Sequence, residues 1–142
     1  MALNVLVVDD SSVMRGIIIK TLRLSGLPLG EIFQAENGKE GLEVLEENWV
    51  DLALIDINMP IMNGEEMIER VRENPETQDL SVVVVSTESS ETRIEMLLEK
   101  DIGFVHKPFT PEILKETITS MIGGLDGDQT TEGTVPSSGP DF

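Results

Sequence analysis

The strongest constraint on the fold is a run of four apolar residues, Leu52 to Ile55, that leads directly into a carboxylate, Asp56. A short apolar run bounded by turn residues is typical of a strand buried on both faces, as in a parallel sheet. Pro60 and the pair Asn63-Gly64 then place a loop after the run. Asp56 is therefore expected at the carboxyl end of a central strand, where open α/β sheets bind their ligands.

Other short apolar runs are also followed directly by polar or charged side chains that can take part in chemistry. Leu3 to Val8 precedes Asp9-Asp10, Val82 to Val85 precedes Ser86-Thr87, and Phe104 to His106 precedes Lys107. A weaker run, Ile32 to Ala35, brings the number of expected strands to five. Segments with apolar residues at helical spacing separate these runs. Alternating strands and helices predict a parallel sheet with helices on both faces.

Right-handed crossovers leave few arrangements for such a chain, and the flavodoxin-like strand order 2-1-3-4-5 is the common one. We therefore expect an α/β fold with a doubly wound, five-stranded parallel sheet and five helices in three layers. The apolar spacing predicts the inner faces of four helices: Val13, Met14, Ile17, Ile18 and Thr21; Met67, Ile68 and Val71; Ile94, Leu97 and Leu98; and Ile113, Leu114, Thr117, Ile118 and Met121. Trp49 is expected to pack in the core or at its edge.

Length and composition limit the class of protein. The 142 residues suffice for one domain, which we place at residues 1–123. Residues 124–142 contain acids but no Lys or Arg and are rich in Gly, Ser, Thr and Pro, which indicates a disordered tail. The absence of cysteine, of a membrane-length apolar run and of a signal-peptide pattern indicates a cytoplasmic protein. A net charge of −17 argues against nucleic-acid binding and favours cations or partners with a basic patch.

In the predicted order, strands one, three, four and five are neighbours, so their carboxyl ends converge. They bring together the carboxylates of Asp9, Asp10 and Asp56, a hydroxyl from Ser86 or Thr87, and the ammonium of Lys107. Three carboxylates repel one another unless a cation lies among them, and oxygen ligands with several waters suit Mg²⁺. The Asn58 carbonyl could supply a further oxygen. A carboxylate facing a lysine and a hydroxyl that hold phosphoryl oxygens can form an aspartyl phosphate, so the residues predict a phosphoryl-acceptor site.

With these residues in place, the chain resembles the receiver domains of two-component response regulators, close to the single-domain CheY-like chemotaxis type. The matching segments are Val7 to Asp10, Leu54 to Pro60 with Gly64, the hydroxyl after strand four, and Lys107-Pro108-Phe109. The resemblance spans about Asn4 to Ile122, and several motifs in the right order make it specific. It implies that a histidine kinase phosphorylates Asp56. It also implies a signalling protein with only self-directed phosphotransfer and autodephosphorylation.

The resemblance further implies roles for individual residues. Mg²⁺ would bind Asp10, Asp56 and the Asn58 carbonyl, with Asp9 acting mostly through water. Lys107 would contact the phosphoryl group, and its bond to Pro108 would be cis.

The switch hydroxyl is assigned to Ser86, because Ser86 follows its apolar run directly and its separation from Asp56 matches the spacing in the family. Thr87 and Glu88 would then lie near the phosphoryl pocket, together with Asn58. Phe104 occupies the aromatic switch position, although an ordinary role in the core suits it equally well.

The output is expected through the face of helix four, strand five and helix five, where Met96 should be exposed.

Two other functions fit the pattern less well. Mg²⁺-dependent phosphatases that form an aspartyl phosphate usually carry a second acid two residues after the nucleophile, where this chain has Asn58. A flavin or nucleotide carrier needs a Gly-rich phosphate loop after the first strand, where Asp9-Asp10 would repel a phosphate. A phosphorylation-switched signalling module is therefore the preferred hypothesis, with the phosphatase as the alternative.

Overall fold

The computed structural model describes residues 2–87 and 90–122. Within these residues, strands and helices alternate five times. The strands are β1 (Leu3–Val8), β2 (Leu29–Ala35), β3 (Leu52–Ile55), β4 (Ser81–Ser86) and β5 (Gly103–His106). The helices are α1 (Ser12–Leu24), α2 (Gly38–Glu47), α3 (Gly64–Glu73), α4 (Glu91–Leu98) and α5 (Pro111–Ile122). Glu88 and the predicted tail, residues 124–142, lie outside the described residues.

The strands form one parallel sheet in the order β2-β1-β3-β4-β5, which confirms the predicted fold. Helices α1 and α5 cover one face of the sheet, where Ile18 and Leu114 are buried. Helices α2, α3 and α4 cover the other face, where Met67 and Leu97 are buried. The sheet is therefore the middle of three layers. Every residue of β3 is buried, because helices cover both faces of this strand, and this explains its unbroken apolar run.

Polar caps set the start of the helices that begin beside the carboxyl edge of the sheet. The Ser11 side chain accepts a hydrogen bond from the Met14 N–H over 3.1 Å, and α1 begins at the next residue. Asn63 and Glu66 form a reciprocal capping box at the start of α3. These caps fix the residue at which each helix begins, and so the position where the preceding loop ends. Among the described residues, no helix combines the length and the apolar character needed to cross a membrane.

Some residues that were predicted to lie on the inner faces of the helices are exposed. The prediction for α3 is confirmed, because Met67, Ile68 and Val71 are all buried. In contrast, Val13 is 73% exposed, and three other residues predicted to face inward are also exposed: Ile17, Leu98 and Ile113. The buried residues of α1, α4 and α5 are few: Arg15, Ile18 and Leu22 on α1, Leu97 on α4, and Leu114 and Ile118 on α5.

Trp49 also departs from its predicted place in the core or at its edge. Its side chain is 77% exposed. The residue follows the end of α2 and precedes β3, at the amino edge of the sheet. The indole therefore lies outside both core layers and can be reached by a partner.

Candidate functional site

Backbone pairing places two acids side by side at the carboxyl edge of the sheet. Val8 of β1 is paired with Ile55 of β3, so the residues that follow them, Asp9 and Asp56, leave the sheet together. The Asp56 N–H donates to the Val8 carbonyl over 2.9 Å, which holds this alignment. The structure thus brings together strand ends that the sequence analysis expected to meet.

Asp9, Asp10 and Asp56 form a cluster in which one carboxylate oxygen from each residue lies within 4.8 Å of the others. Asp9 is buried, Asp56 is half-buried and Asp10 is exposed. Oδ1 of Asp9 accepts from the Ser11 N–H over 2.9 Å, and Oδ1 of Asp56 accepts from the Ile57 N–H over 2.9 Å. These bonds restrict the rotation of both carboxylates and keep the cluster together.

Lys107 supplies the positive charge of the cluster. The backbone N–H of Lys107 donates to the backbone carbonyl of Ser86 over 2.9 Å, which continues the pairing of β4 with β5. Its Nζ lies 3.2 Å from Oδ2 of Asp9 and 3.8 Å from Oδ1 of Asp56. The Lys107 side chain is only 14% exposed, so solvent ions screen its charge weakly. The bond between Lys107 and Pro108 is cis, as the resemblance implied.

Burial raises the pKa of Asp56 above its ordinary value. The Lys107 ammonium lowers this pKa, whereas the negative charges of Asp9 and Asp10 raise it, and the hydrogen bond from Ile57 lowers it. The net direction is upward, because burial disfavours the charged form and one ammonium faces three carboxylates. Without a further cation, the folded protein therefore holds an ionised Asp56 at a cost in stability.

Gly64 allows the loop after β3 to fold back against the site. Its N–H donates to the Ile57 carbonyl over 2.8 Å, and a β-carbon at this position would collide with the carbonyl oxygen of Asp56. Only glycine permits such a close approach of two backbones. Asn58 lies in the same loop, and its side chain is exposed.

The other predicted site residues differ in their surroundings. Ser86 is fully buried at the end of β4, whereas the neighbouring Thr87 is exposed. Phe104 is partly buried, and its ring lies edge-on to the ring of His106 with 5.0 Å between the centroids. The exposure predicted for Met96 is confirmed, at 58%.

Arg15 also belongs to the site, although the sequence analysis did not identify it. The residue is only 9% exposed. Its Nη1 donates to the backbone carbonyl of Asp9 over 2.6 Å, and its Nε donates to Oε1 of Gln34 over 2.9 Å. Arg15 therefore fixes the backbone of Asp9. Its spacing from Ile18 and Leu22 places it on the buried face of α1, and this spacing was the available signal.

Comparison with known proteins agrees with this architecture. Residues 5–119 match the response regulator receiver domain family. The chemotaxis protein CheY homolog of Campylobacter jejuni is 36% identical over 132 residues, which cover 92% of this chain and 100% of that protein. Chemotaxis protein CheY1 of Helicobacter pylori is 36% identical over 126 residues, 87% of this chain and 100% of that protein.

A solved structure supports the same assignment. Chemotaxis protein CheY4 of Vibrio cholerae is similar with a TM-score of 0.75 and 30% identity, covering 85% of this chain and 99% of that one. The match of the family over most of the sequence, the relatives aligned over their whole length and the shared fold lead to one conclusion. The chain belongs to the response regulator receiver domain family and is of the CheY type.

Proposed function

We propose that this protein is a phosphorylation-switched signalling module of the cytoplasm. A histidine kinase transfers a phosphoryl group to Asp56, and the phosphorylated protein then binds an output protein. The observation that carries the proposal is the placement of Asp56 in a cluster of three carboxylates, with the Lys107 ammonium 3.8 Å away. The chemotaxis relatives support a chemotaxis-type pathway.

In the proposed transfer, a carboxylate oxygen of Asp56 attacks the phosphorus of a phosphohistidine. An oxygen–phosphorus bond forms while the bond from phosphorus to the imidazole nitrogen breaks, and the released imidazole takes up a proton. Lys107 stays beside the acceptor and donates to one phosphoryl oxygen. Ser86, at the neighbouring strand end, donates to another. Lys107, which is held beside the acceptor before the reaction, stabilises the charge that develops on the transferred group.

The donor set fits Mg²⁺. One ammonium faces three carboxylates, so two negative charges remain in excess. Mg²⁺ is usually held by one or two carboxylates together with waters and phosphate oxygens. We assign Asp10, Asp56 and the backbone carbonyl of Asn58 as its ligands, with Asp9 acting mostly through water. When bound, the metal neutralises negative charge on the phosphoryl group.

Mg²⁺ is expected to stabilise the fold, because it binds the native cluster and not the unfolded chain. At about a hundred times the dissociation constant, the gain is ~2.7 kcal/mol. Asp10→Asn should raise the metal-free melting temperature, because it removes one of the repelling carboxylates, and it should remove most of the Mg²⁺ effect. Thermal unfolding with and without Mg²⁺ measures both changes. The control Asp79→Asn should keep the full Mg²⁺ shift, and a full shift in Asp10→Asn would contradict the assignment.

We further propose how the signal leaves the site. Phosphorylation adds roughly −1.5 to −2 of charge and three acceptor oxygens at Asp56. Ser86 moves to donate to one of these oxygens, and Phe104 turns inward to fill the space behind β4. The population shifts toward a state with a changed surface on α4, β5 and α5, where Met96 is exposed. Thr87 and Asn58 neighbour the phosphoryl pocket in this arrangement.

Ser86→Ala is expected to abolish phosphorylation-dependent binding of an output protein, whereas Thr87→Ala should preserve it. The measurement compares capture of partners by the beryllofluoride-activated and the unmodified protein. Met96→Lys and Phe104→Ala should weaken capture by the activated form, while Glu43→Lys on α2 serves as a control. The assignment of the switch fails if Thr87→Ala is the inactive variant, and the assignment of the face fails if only Glu43→Lys weakens capture.

Acetyl phosphate with Mg²⁺ is expected to add one phosphoryl group per chain, visible as a single mass shift of the intact protein. A chelator should prevent this labelling. We place the receiver domain at residues 1–123, so a chain truncated after Gly123 should label equally.

A panel of phosphate esters should not be turned over. Steady release of phosphate from these esters would favour the aspartyl-phosphate phosphatase over the signalling module.

A further inference from the structure

Charge is divided unevenly between the two helical layers. Helices α1 and α5 together carry four basic and two acidic residues. Helices α2, α3 and α4 carry four basic and ten acidic residues. The negative excess of the described helices is therefore concentrated on one face of the molecule. A partner with a basic surface would be attracted to that face.

Trp49 stands beside this acidic layer and is held in place. It is the only tryptophan of the chain and is 77% exposed. Its Nε1–H donates to Oδ1 of Asp51 over 3.0 Å, and its carbonyl accepts from Nδ2 of Asn4 over 3.1 Å. Oδ2 of Asp51 in turn accepts from the Asn4 N–H over 2.9 Å. The ring is thus oriented before any partner arrives, which lowers the entropic cost of docking.

A groove runs from Trp49 between the end of α2 and the loop that follows α3. It consists of two adjoining hollows of about 290 Å³ and about 300 Å³. Both are lined by Leu45, Glu76 and Thr77, and Asp79 lines the hollow next to Trp49. Among the described residues, those that line this hollow include three acids and no base. The hollow next to Trp49 therefore combines an apolar surface with a negative rim, and in the other hollow the acids Glu46, Glu73 and Glu76 outnumber one base, Arg70.

We propose that this groove docks a basic amphipathic segment of a partner protein. Apolar side chains of the segment would pack against Leu45, as amphipathic helices do in hydrophobic grooves. Its lysine or arginine side chains would lie over the indole of Trp49 and beside Glu76 and Asp79, because a cation is attracted to the face of an indole. Charge argues against the same layer of a second copy as the occupant, since two acidic layers repel each other.

The position of the groove separates this docking from phosphorylation. Trp49 precedes the amino end of β3, whereas Asp56 follows its carboxyl end. A bound segment would therefore leave the carboxylate cluster open. Docking is expected to be equally strong in the unmodified and the phosphorylated protein, so the inference goes beyond the proposed function and can fail independently of it.

The test uses the full chain and a synthetic amphipathic peptide of leucine, alanine and arginine. Because Trp49 is the only tryptophan, its fluorescence reports directly on the groove. The peptide is expected to shift the emission to shorter wavelength in a saturable way, and a matched peptide with glutamine in place of arginine should not. Absence of a saturable shift overturns the proposal. A shift that depends on protein concentration without peptide also overturns it, because a second copy would then be the occupant.

Variants separate docking in the groove from general attraction to an acidic protein. The double change Glu76→Gln with Asp79→Asn should weaken binding about fivefold. The matched double change Glu112→Gln with Glu116→Gln on α5 removes the same charge from the other layer and should weaken it less than about twofold. Trp49→Ala should weaken it roughly tenfold, measured by the anisotropy of a labelled peptide. Equal losses in both double variants would overturn the proposal.

Discussion

Asp56→Asn is expected to abolish phosphoryl labelling by acetyl phosphate and by any histidine kinase. The change replaces the nucleophilic carboxylate with an amide, which cannot form the acyl phosphate. Asp9 and Asp10 lie within the same cluster but are expected to stay unlabelled, because in the proposal they only hold the metal, directly or through water, whereas Asp56 is both a ligand and the nucleophile. Intact-mass measurement of the variant tests this directly. Asp79→Asn, which removes an exposed acid far from the cluster, should label like the wild type, and labelling that survives in Asp56→Asn would refute the proposed acceptor.

The same variant is expected to be more stable than the wild type at neutral pH without metal. Burial raises the pKa of Asp56 in the folded protein, so the folded state binds the Asp56 proton more tightly than the unfolded chain does. Between the unfolded and folded pKa values the folded state holds more protons, and the stability of the wild type falls as the pH rises through that interval. The advantage of Asp56→Asn is therefore full above the folded pKa. It disappears below a pH of about 3.9, the ordinary aspartate pKa.

Urea unfolding of both proteins across this pH range provides the measurement. A stability difference that grows as the pH falls would contradict the raised pKa. Addition of Mg²⁺ at neutral pH should reverse the order of stability, because only the wild type retains Asp56 as a ligand. Asp79→Asn again serves as the control, since Asp79 is exposed.

Arg72→Leu is expected to cause a large loss of stability without affecting the phosphorylation site. Nη1 of Arg72 donates to the carbonyls of Gln78 over 3.0 Å and Leu80 over 2.6 Å. Nε donates to the carbonyl of Lys100 over 3.2 Å, and Nη2 donates to that of Asp101 over 3.0 Å. One guanidinium thus ties the end of α3 to the chain before β4 and to the loop before β5.

Leucine cannot replace any of these donors, so several carbonyls lose a charged partner. We expect a loss of about 3 kcal/mol in the free energy of unfolding, which corresponds to a fall of roughly 6–12 °C in melting temperature. Burial lowers the pKa of Arg72, but a guanidinium stays charged at every pH where the protein folds. The effect should therefore not depend on pH. The exposed neighbour Arg70→Leu should change stability by less than about 0.5 kcal/mol, and equal losses in both variants would show that the four bonds do not stabilise the fold.

The sequence was most informative where local pattern and chain order suffice. The apolar run of β3 predicted a strand covered on both faces, and β3 is buried at all four positions. The alternation of strands with helices, together with the handedness of crossovers, predicted the strand order. That order alone implied that Asp9, Asp56 and Lys107 would meet, because parallel strands end at the same edge.

Tertiary structure decided the features that depend on distant neighbours. Val13 and Ile17 were predicted to share the inner face of α1 with Ile18, yet they are exposed. The buried strip of this helix runs through Arg15, Ile18 and Leu22 instead. The spacing of Arg15 from Ile18 and Leu22 indicates its place on the buried face of α1. Only the tertiary structure shows its partners, the backbone carbonyl of Asp9 and the side chain of Gln34. The place of Trp49 likewise depends on a distant residue, because its backbone carbonyl accepts a hydrogen bond from Nδ2 of Asn4, which lies 45 positions away in the chain.

The sequence by itself therefore determined the architecture and the chemical identity of the cluster. Both follow from local apolar periodicity and from the residues that stand at the strand ends. Only the tertiary structure decided the raised pKa of Asp56, the clamp around Arg72 and the acidic groove at Trp49. Each of these three features depends on burial or on partners that are distant in the chain. A local sequence pattern specifies neither the burial nor the distant partners.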